Sequence, residues 1–441
     1  MTRVLLLCPE PGRPAMAGVG IRFWELARHL GRRHEVRLGF PNDLAELAGG
    51  DSRTRLAEAQ IVRYDRSNLA ELHRWSQAVV LHAHVSNLYF DCADPRAPRP
   101  LVVDLYDPFP IENLNYFPTL GDGTYRHDRA TLERQLRQGD LFLCSSPEQR
   151  LFYLGMLYSL GRLNPETYFA DFTLGNLVRE VPFGIAPPEP SSPDSASAAP
   201  APILRGVVPG IGPSDPILFF GGIYDWYDPM LLLAILPALM ARFPTLRVVF
   251  SANPNAASTP QGTYAEVLAV AREAGWLDRH VFFVPWVAAD RRFGLYREAT
   301  VAVVLHRPRF EAEISLRTRV LDFLGAGLPV VATEGGAMSR QLAQERMGRV
   351  VPVGDPAALT EAVGELLASA PLRSELAARG RAWAARRDWD TVLAPLVAFL
   401  DAPRIDPHKG RYPPGSIPVP RSGGRFSLGA LRARLQGRVG S

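Results

Sequence analysis

Lysine is almost absent from this chain. Lys409 stands alone among 49 basic residues, and arginine supplies the others. With alanine and proline also abundant, that bias reflects a GC-rich genome more than a function. Cysteine is nearly as scarce. Cys8, Cys92 and Cys144 are odd in number and far apart. They exclude a disulfide framework and the paired spacing of a zinc site, and they fit a reducing compartment. Long hydrophobic runs are missing too. The longest, 229–241, contains Pro237 and falls short of the ~20 residues a membrane span needs. The apolar start at 4–8 meets Pro9 at once, too soon for a signal peptide. These absences predict a soluble, cytoplasmic protein.

The body of the chain also lacks an excess of positive charge. The formal charge is +4, but residues 404–441 hold eight basic side chains against Asp406, a net of +7, which leaves −3 on the rest. The basic pI therefore belongs to the tail, and a nucleic-acid-binding body is excluded.

What is present is length and apolar content. With 441 residues and 47% hydrophobic side chains, the chain is too long for one ordinary core and implies two domains. Val4 to Cys8 is a continuous apolar run, as a central parallel strand requires. A loop with Gly18 and Gly20 follows. Phe23, Leu26, Ala27 and Leu30 then repeat at helical spacing, and His34-Glu35-Val36 opens the next strand. Strand, glycine loop, helix, strand is a Rossmann-type opening, without the three spaced glycines of a dinucleotide fingerprint. Gly18 and Gly20 either approach a phosphate or only make the turn; Arg22, on the first helical turn, is placed to reach a phosphate.

Strands at 78–83 and 101–104 lead to the rim where an open α/β sheet binds its ligands. Asp104 and Asp107 stand there, flanked by His82 and His84. Each aspartate either positions a sugar hydroxyl or accepts an acceptor proton, or else caps the turn at Pro108. Residues 187–202 are dense in proline, serine and alanine and read as a flexible connection. The second half opens at 217–220 with a strand ending in Gly221 and Gly222. Trp286 follows a later strand and either offers its ring face to a ligand or packs in its loop. His306 follows another, just before Glu311.

The stretch 311–337, EAEISLRTRVLDFLGAGLPVVATEGGA, organises the rest. Val320, Leu321 and Leu324 fall at helical spacing, which puts Arg317, Thr318 and Arg319 at a helix N-terminus. Gly327 and Pro329 stop that helix, and 330–332 form a short inner strand. An anion there meets backbone N–H groups and two guanidiniums. A helix terminus contributes only ~0.3–1 kcal/mol, up to ~2 when partly buried, whereas hydrogen bonds to charged groups contribute ~1.5–3 kcal/mol each. Arg317 and Arg319, with Arg22, are therefore the expected diphosphate ligands. Asp322 and Glu311 are carboxylates that can each accept hydrogen bonds from a pair of hydroxyls.

This stretch resembles the donor-binding segment of the family-four glycosyltransferases. Asp322-Phe-Leu-Gly-Ala-Gly327-Leu-Pro329-Val330 matches the helix ending in Gly-x-Pro-Val, with Asp in place of Glu. The position where the family has its first Glu is Ile314, and Glu311 with the run from Arg317 to Asp322 resembles a subgroup of that family. A second departure is the loop after Gly222, which lacks the Arg and Lys common in the family. The resemblance implies a GT-B fold, α/β with two facing Rossmann-like domains and a cleft between them. It implies a nucleotide-diphosphate sugar as donor, with no cofactor and no metal. It implies a glycan or lipid-linked acceptor and retention of anomeric configuration, and it puts Asp104, Asp107 and Glu311 around the reacting sugar. A sugar-nucleotide epimerase and a non-catalytic sugar-nucleotide-binding protein are the alternatives.

The expected layout is an acceptor domain at 1–186, a linker at 187–215, a donor domain at 216–385 and a closing helix at 386–402. A basic tail at 403–441 is expected to be disordered. Leu428, Leu431, Leu435 and Val439 recur there at helical spacing beside Arg432, Arg434 and Arg438. The other reading of the tail is therefore a peripheral anchor on the inner membrane face.

Overall fold

In the computed structural model, all residues are described except 15, 49–55, 186–200, 254–255, 257–258, 289–290 and 414–441. The first half builds a parallel sheet from β1 (Arg3–Leu7), β2 (Glu35–Phe40), β3 (Gln60–Arg63), β4 (Ala78–Leu81), β5 (Leu101–Asp104), β6 (Leu141–Cys144) and β7 (Val178–Glu180). Its order is β3-β2-β1-β4-β5-β6-β7. The second half repeats the plan with β8 (Ile217–Gly222), β9 (Arg247–Ser251), β10 (Val281–Val284), β11 (Val301–Val304), β12 (Val330–Thr333) and β13 (Gly348–Val351), in the order β10-β9-β8-β11-β12-β13. The inner strands are buried at every residue in β4, β5, β6, β8, β11 and β12. That is why their sequences are unbroken apolar runs and not alternating ones: helices cover both faces. Each sheet reverses its winding between its first and fourth strands, and the loops at those two switch points are the places for ligands.

Helix starts are written locally. Ser146-Pro147, Asn164-Pro165, Asp228-Pro229 and Asp355-Pro356 each put a capping side chain before a proline. The cap oxygens accept the backbone N–H groups of Gln149, Thr167, Leu231 and Ala358. Proline fits the first turn because its missing N–H would be unpaired there anyway. The helix Trp389–Asp401 crosses back to the first domain. Trp389 packs against Phe183 and His29, and the Leu400 carbonyl accepts the Thr2 hydroxyl at 2.7 Å. Gly184 lies so close under Trp389 that a Cβ would meet the indole at 2.5 Å.

Two expectations about the connections are corrected. Residues 201–215 are a folded cap on the second domain, not a linker. Leu204 is fully buried, and the Glu298 carboxylate accepts the N–H groups of Ile203, Leu204 and Arg205. The tail begins to be bound earlier than expected. Asp406 pairs with Arg162 at 2.8 Å, Lys409 with Asp140 at 2.7 Å, and the Tyr412 hydroxyl donates to Glu166 at 3.0 Å. The anchor reading at 428–439 lies outside the described residues, as does 187–200.

Candidate functional site between the two domains

The switch-point loops of the two sheets face each other across a cavity of about 720 Å³. Its second-domain wall is built from the turn after β8 and the helix Thr318–Ala326. β8 slips register against β9 at Phe219/Gly221, and Gly221 has φ +84°. A side chain there would be strained by the backbone and would meet the Arg319 guanidinium at 3.3 Å. Arg319 donates to the carbonyls of Phe220 (2.9 Å) and Gly222 (3.0 Å) and lies 4.1 Å over the Tyr227 ring. Among the described residues it has no carboxylate partner. Arg317 is 6% exposed and ion-paired with Glu311, with Glu112 at 3.8 Å. Asp322 pairs with Arg292 at 3.2 Å. Burial pushes the Asp322 carboxyl up, and Arg292 pulls it back. Trp286 lines the same wall beside Gly222.

The first-domain wall is more acidic than the sequence suggested. Glu10 reaches over the start of the helix Gly18–Leu30 and accepts the N–H groups of Ala17 and Gly20, both at 2.6 Å. The anion position at that helix N-terminus is thus filled by the chain's own carboxylate. Asp107 and Glu112 both line the cavity. Burial raises the carboxyl of Asp107, and His82, 3.9 Å away, moderates the effect. Glu112 is raised well above the usual range by burial and by the charges of Asp107 and Glu311. Each of the two carboxyls thus disfavours ionisation of the other. The other contacts of Glu112, with the Ser315 hydroxyl at 3.1 Å and with Arg317, reach into the second domain.

Of the residues singled out from the sequence, Gly18, His82, His84, Asp107, Gly221, Gly222, Trp286, Arg317, Thr318, Arg319 and Asp322 line this cavity. Glu311 and His306 stand one layer behind it. Glu311 is 2% exposed and holds Arg317; its Oε2 has no hydrogen-bond partner among the described residues. His306 stacks on Tyr227 at 5.4 Å, and its imidazole is lowered by burial and then by Arg317 and Arg319. Gly20 is spent on Glu10. Two expectations are corrected outright. Arg22 does not reach a phosphate, and Asp104 does not face an acceptor. Both are fully buried and bound to each other at 2.5 and 3.0 Å, with Arg22 also donating to the carbonyls of Val181 and Pro182. Glu10, Glu112 and Arg292 were missed. Glu112 lies five residues past Asp107, at the end of the short helix Phe109–Glu112, and that proximity was the one signal available for it.

Comparison with known proteins bears on this geometry. Residues 215–369 match the family described as Glycosyl transferases group 1. The chain is 31% identical over 229 residues to the phosphatidyl-myo-inositol mannosyltransferase of Mycolicibacterium smegmatis, covering 52% of this chain and 53% of that one. It is 28% identical over 203 residues to the D-inositol 3-phosphate glycosyltransferase of Corynebacterium urealyticum, covering 45% and 46%. The chain thus spans about half the length of the curated relatives it matches. Among solved structures, the HepE protein of Anabaena in complex with UDP-glucose superposes with a TM-score of 0.62 at 15% identity, over 91% of this chain and all of that one. WaaG, a glycosyltransferase involved in lipopolysaccharide biosynthesis, gives 0.60 at 16%, over 90% and 100%. These likenesses establish the two-domain GT-B fold.

Proposed function

We propose that this chain, whose residues 215–369 are a Glycosyl transferases group 1 domain within a GT-B fold, moves a sugar from a nucleotide-diphosphate sugar to a hydroxyl acceptor. Nucleotide-sugar complexes of a structural neighbour and the glycosyltransferase names of the relatives support the reaction class. The observation that carries the reading is Arg319. It is a guanidinium on the cavity wall, fixed by two carbonyls and a ring, with no carboxylate to neutralise it among the described residues.

In this reading Arg319 and the N-terminus of the helix Thr318–Ala326 hold the diphosphate, and Arg317 is oriented toward it by Glu311. Asp322 accepts from the ribose and Trp286 lies against the base. The sugar then faces Asp107 and Glu112 on the opposite wall. Transfer proceeds with retention. The acceptor hydroxyl attacks the anomeric carbon from the side the diphosphate leaves, and the departing phosphate oxygen takes its proton. The guanidiniums stabilise the charge that develops on the leaving group, so no metal is required. The acceptor is a glycan or a lipid-linked sugar, met at the inner face of a membrane that the tail contacts through its arginines.

Calorimetry of UDP, GDP, ADP and TDP with a chelator present tests the donor site. One nucleotide is expected to bind selectively, and Arg319→Ala to weaken it at least tenfold, since a charged hydrogen bond contributes ~1.5–3 kcal/mol. Turnover of the matching nucleotide sugar then separates an enzyme from a binding protein. A folded protein that binds none of the four sinks the reading.

A further inference from the structure

The first domain carries an apolar surface that its core does not use. Phe169 is 73% exposed, Phe172 66% and Tyr168 45%. Their rings touch one another, with centroids 5.3 to 5.9 Å apart. The backbone beneath them is tightly held. Asn164 caps the helix Pro165–Ala170 in a reciprocal capping box. Asp171 accepts the N–H groups of Thr173 and Asn176, and Arg150 donates to the carbonyls of Thr173 and Val178. Three large aromatics are thus lifted into solvent on a rigid base. The preceding helix Pro147–Ser159, tied to this loop through Arg150, carries two more exposed apolar side chains. Leu151 and Tyr158, each 70% exposed, lie two turns apart on one face, with Gly155 between them. Its N-terminal end is at the interdomain contact, where Glu148 meets Arg340 at 2.5 Å.

A second observation falls on the same place. The segment that follows the closing helix is bound beside the aromatics. Arg404 donates to Asn176, and both Arg411 and Tyr412 engage Glu166. The last described residues therefore lie beside the patch, and the sequence from 414 to 441 contains five arginines and no acidic residue. The acidic groups near the patch are already occupied: Glu166 by Arg411 and Tyr412, Asp171 by its own loop. Exposed aromatics with Arg404 and Arg411 beside them, followed in the sequence by a stretch whose charged residues are all arginine, match the chemistry of an anionic bilayer surface.

We infer that Tyr168, Phe169 and Phe172 form a membrane-insertion platform for anionic lipid bilayers. The platform brings the end of the helix Pro147–Ser159 that borders the cleft close to the bilayer. The inference deepens the membrane reading of the tail, and the test keeps the two apart. Full-length protein is floated with vesicles of phosphatidylcholine, with and without phosphatidylglycerol, at low and high salt. Wild type is expected to float with the anionic vesicles and to be released by salt. Phe169→Ser with Phe172→Ser is expected to cut the bound fraction at least fivefold with an unchanged melting temperature, because both rings are in water already. Arg432→Glu with Arg434→Glu reports on the tail alone; floating like wild type, it removes the tail reading and leaves the platform. The platform is overturned if wild type stays unbound, or if the double phenylalanine variant floats as well as wild type. It is also overturned if that variant only converts a wild-type dimer to a monomer, which would make the patch a protein interface.

Discussion

At the scale of single residues, Asp104 shows how a ligand-site position can be used for something else. It ends a central strand at the rim where open sheets bind ligands, and its carboxylate is fully buried against Arg22. The sequence displayed both residues at ligand-facing positions but not their pairing, because they are 82 positions apart. Removing one partner of a buried pair leaves the other charge uncompensated. Asp104→Asn is therefore expected to lower the unfolding free energy by about 3–5 kcal/mol, measured by urea denaturation. A loss below about 1 kcal/mol, the range of exposed pairs, would mean the pair is solvated. Arg319 was more legible. Its place two residues after Arg317, at the start of an amphipathic helix, fixed its exposure at that helix's N-terminal turn. What could not be read was that Glu311 would claim Arg317 and leave Arg319 unpaired.

At the scale of elements, the strands and helix starts were written locally, since burial on both faces and capping residues leave marks within a few positions. Glu10 left no such mark. It acts on the helix Gly18–Leu30 from across a loop, supplying the cap that Ala17 cannot. Glu10→Ala should destabilise the protein by about 1–2 kcal/mol, as loss of a helix cap does, and the check is the shift in urea midpoint at neutral pH. An unchanged midpoint would show that water replaces the carboxylate without loss. The cap at 201–215 was misread for a related reason. Proline and glycine density signals irregular backbone, but irregular backbone packs well when a remote carboxylate, here Glu298, accepts its N–H groups.

At the scale of the whole molecule, the two-domain plan was visible in length, in the repeated strand pattern and in the resemblance of residues 311–333. The contacts that join the domains across the cleft were not. Glu112 is one of them, touching Ser315 and Arg317 from the opposite domain. Its carboxyl is raised in the folded protein, so the native state binds a proton that the unfolded chain releases above about pH 4.3. Stability from this group is present below that value and is lost as pH rises through the folded one. Glu112→Gln removes the loss. The variant should match wild type near pH 4 and become progressively more stable than it toward pH 8, followed by thermal melts across that range. Parallel melting curves would show that Glu112 ionises freely.

The closing helix has a mechanical consequence. The chain passes between the domains twice. At the second passage the Arg387 carbonyl accepts the Ile185 N–H at 2.8 Å, while Trp389 sits on Gly184. Two passages clasped together at one spot do not act like a single tether, which would let one domain swing in any direction. They act like the spine of a book. Any opening of the cleft would turn about that one line, carrying the mouth of the cavity farthest and the residues nearest the spine least.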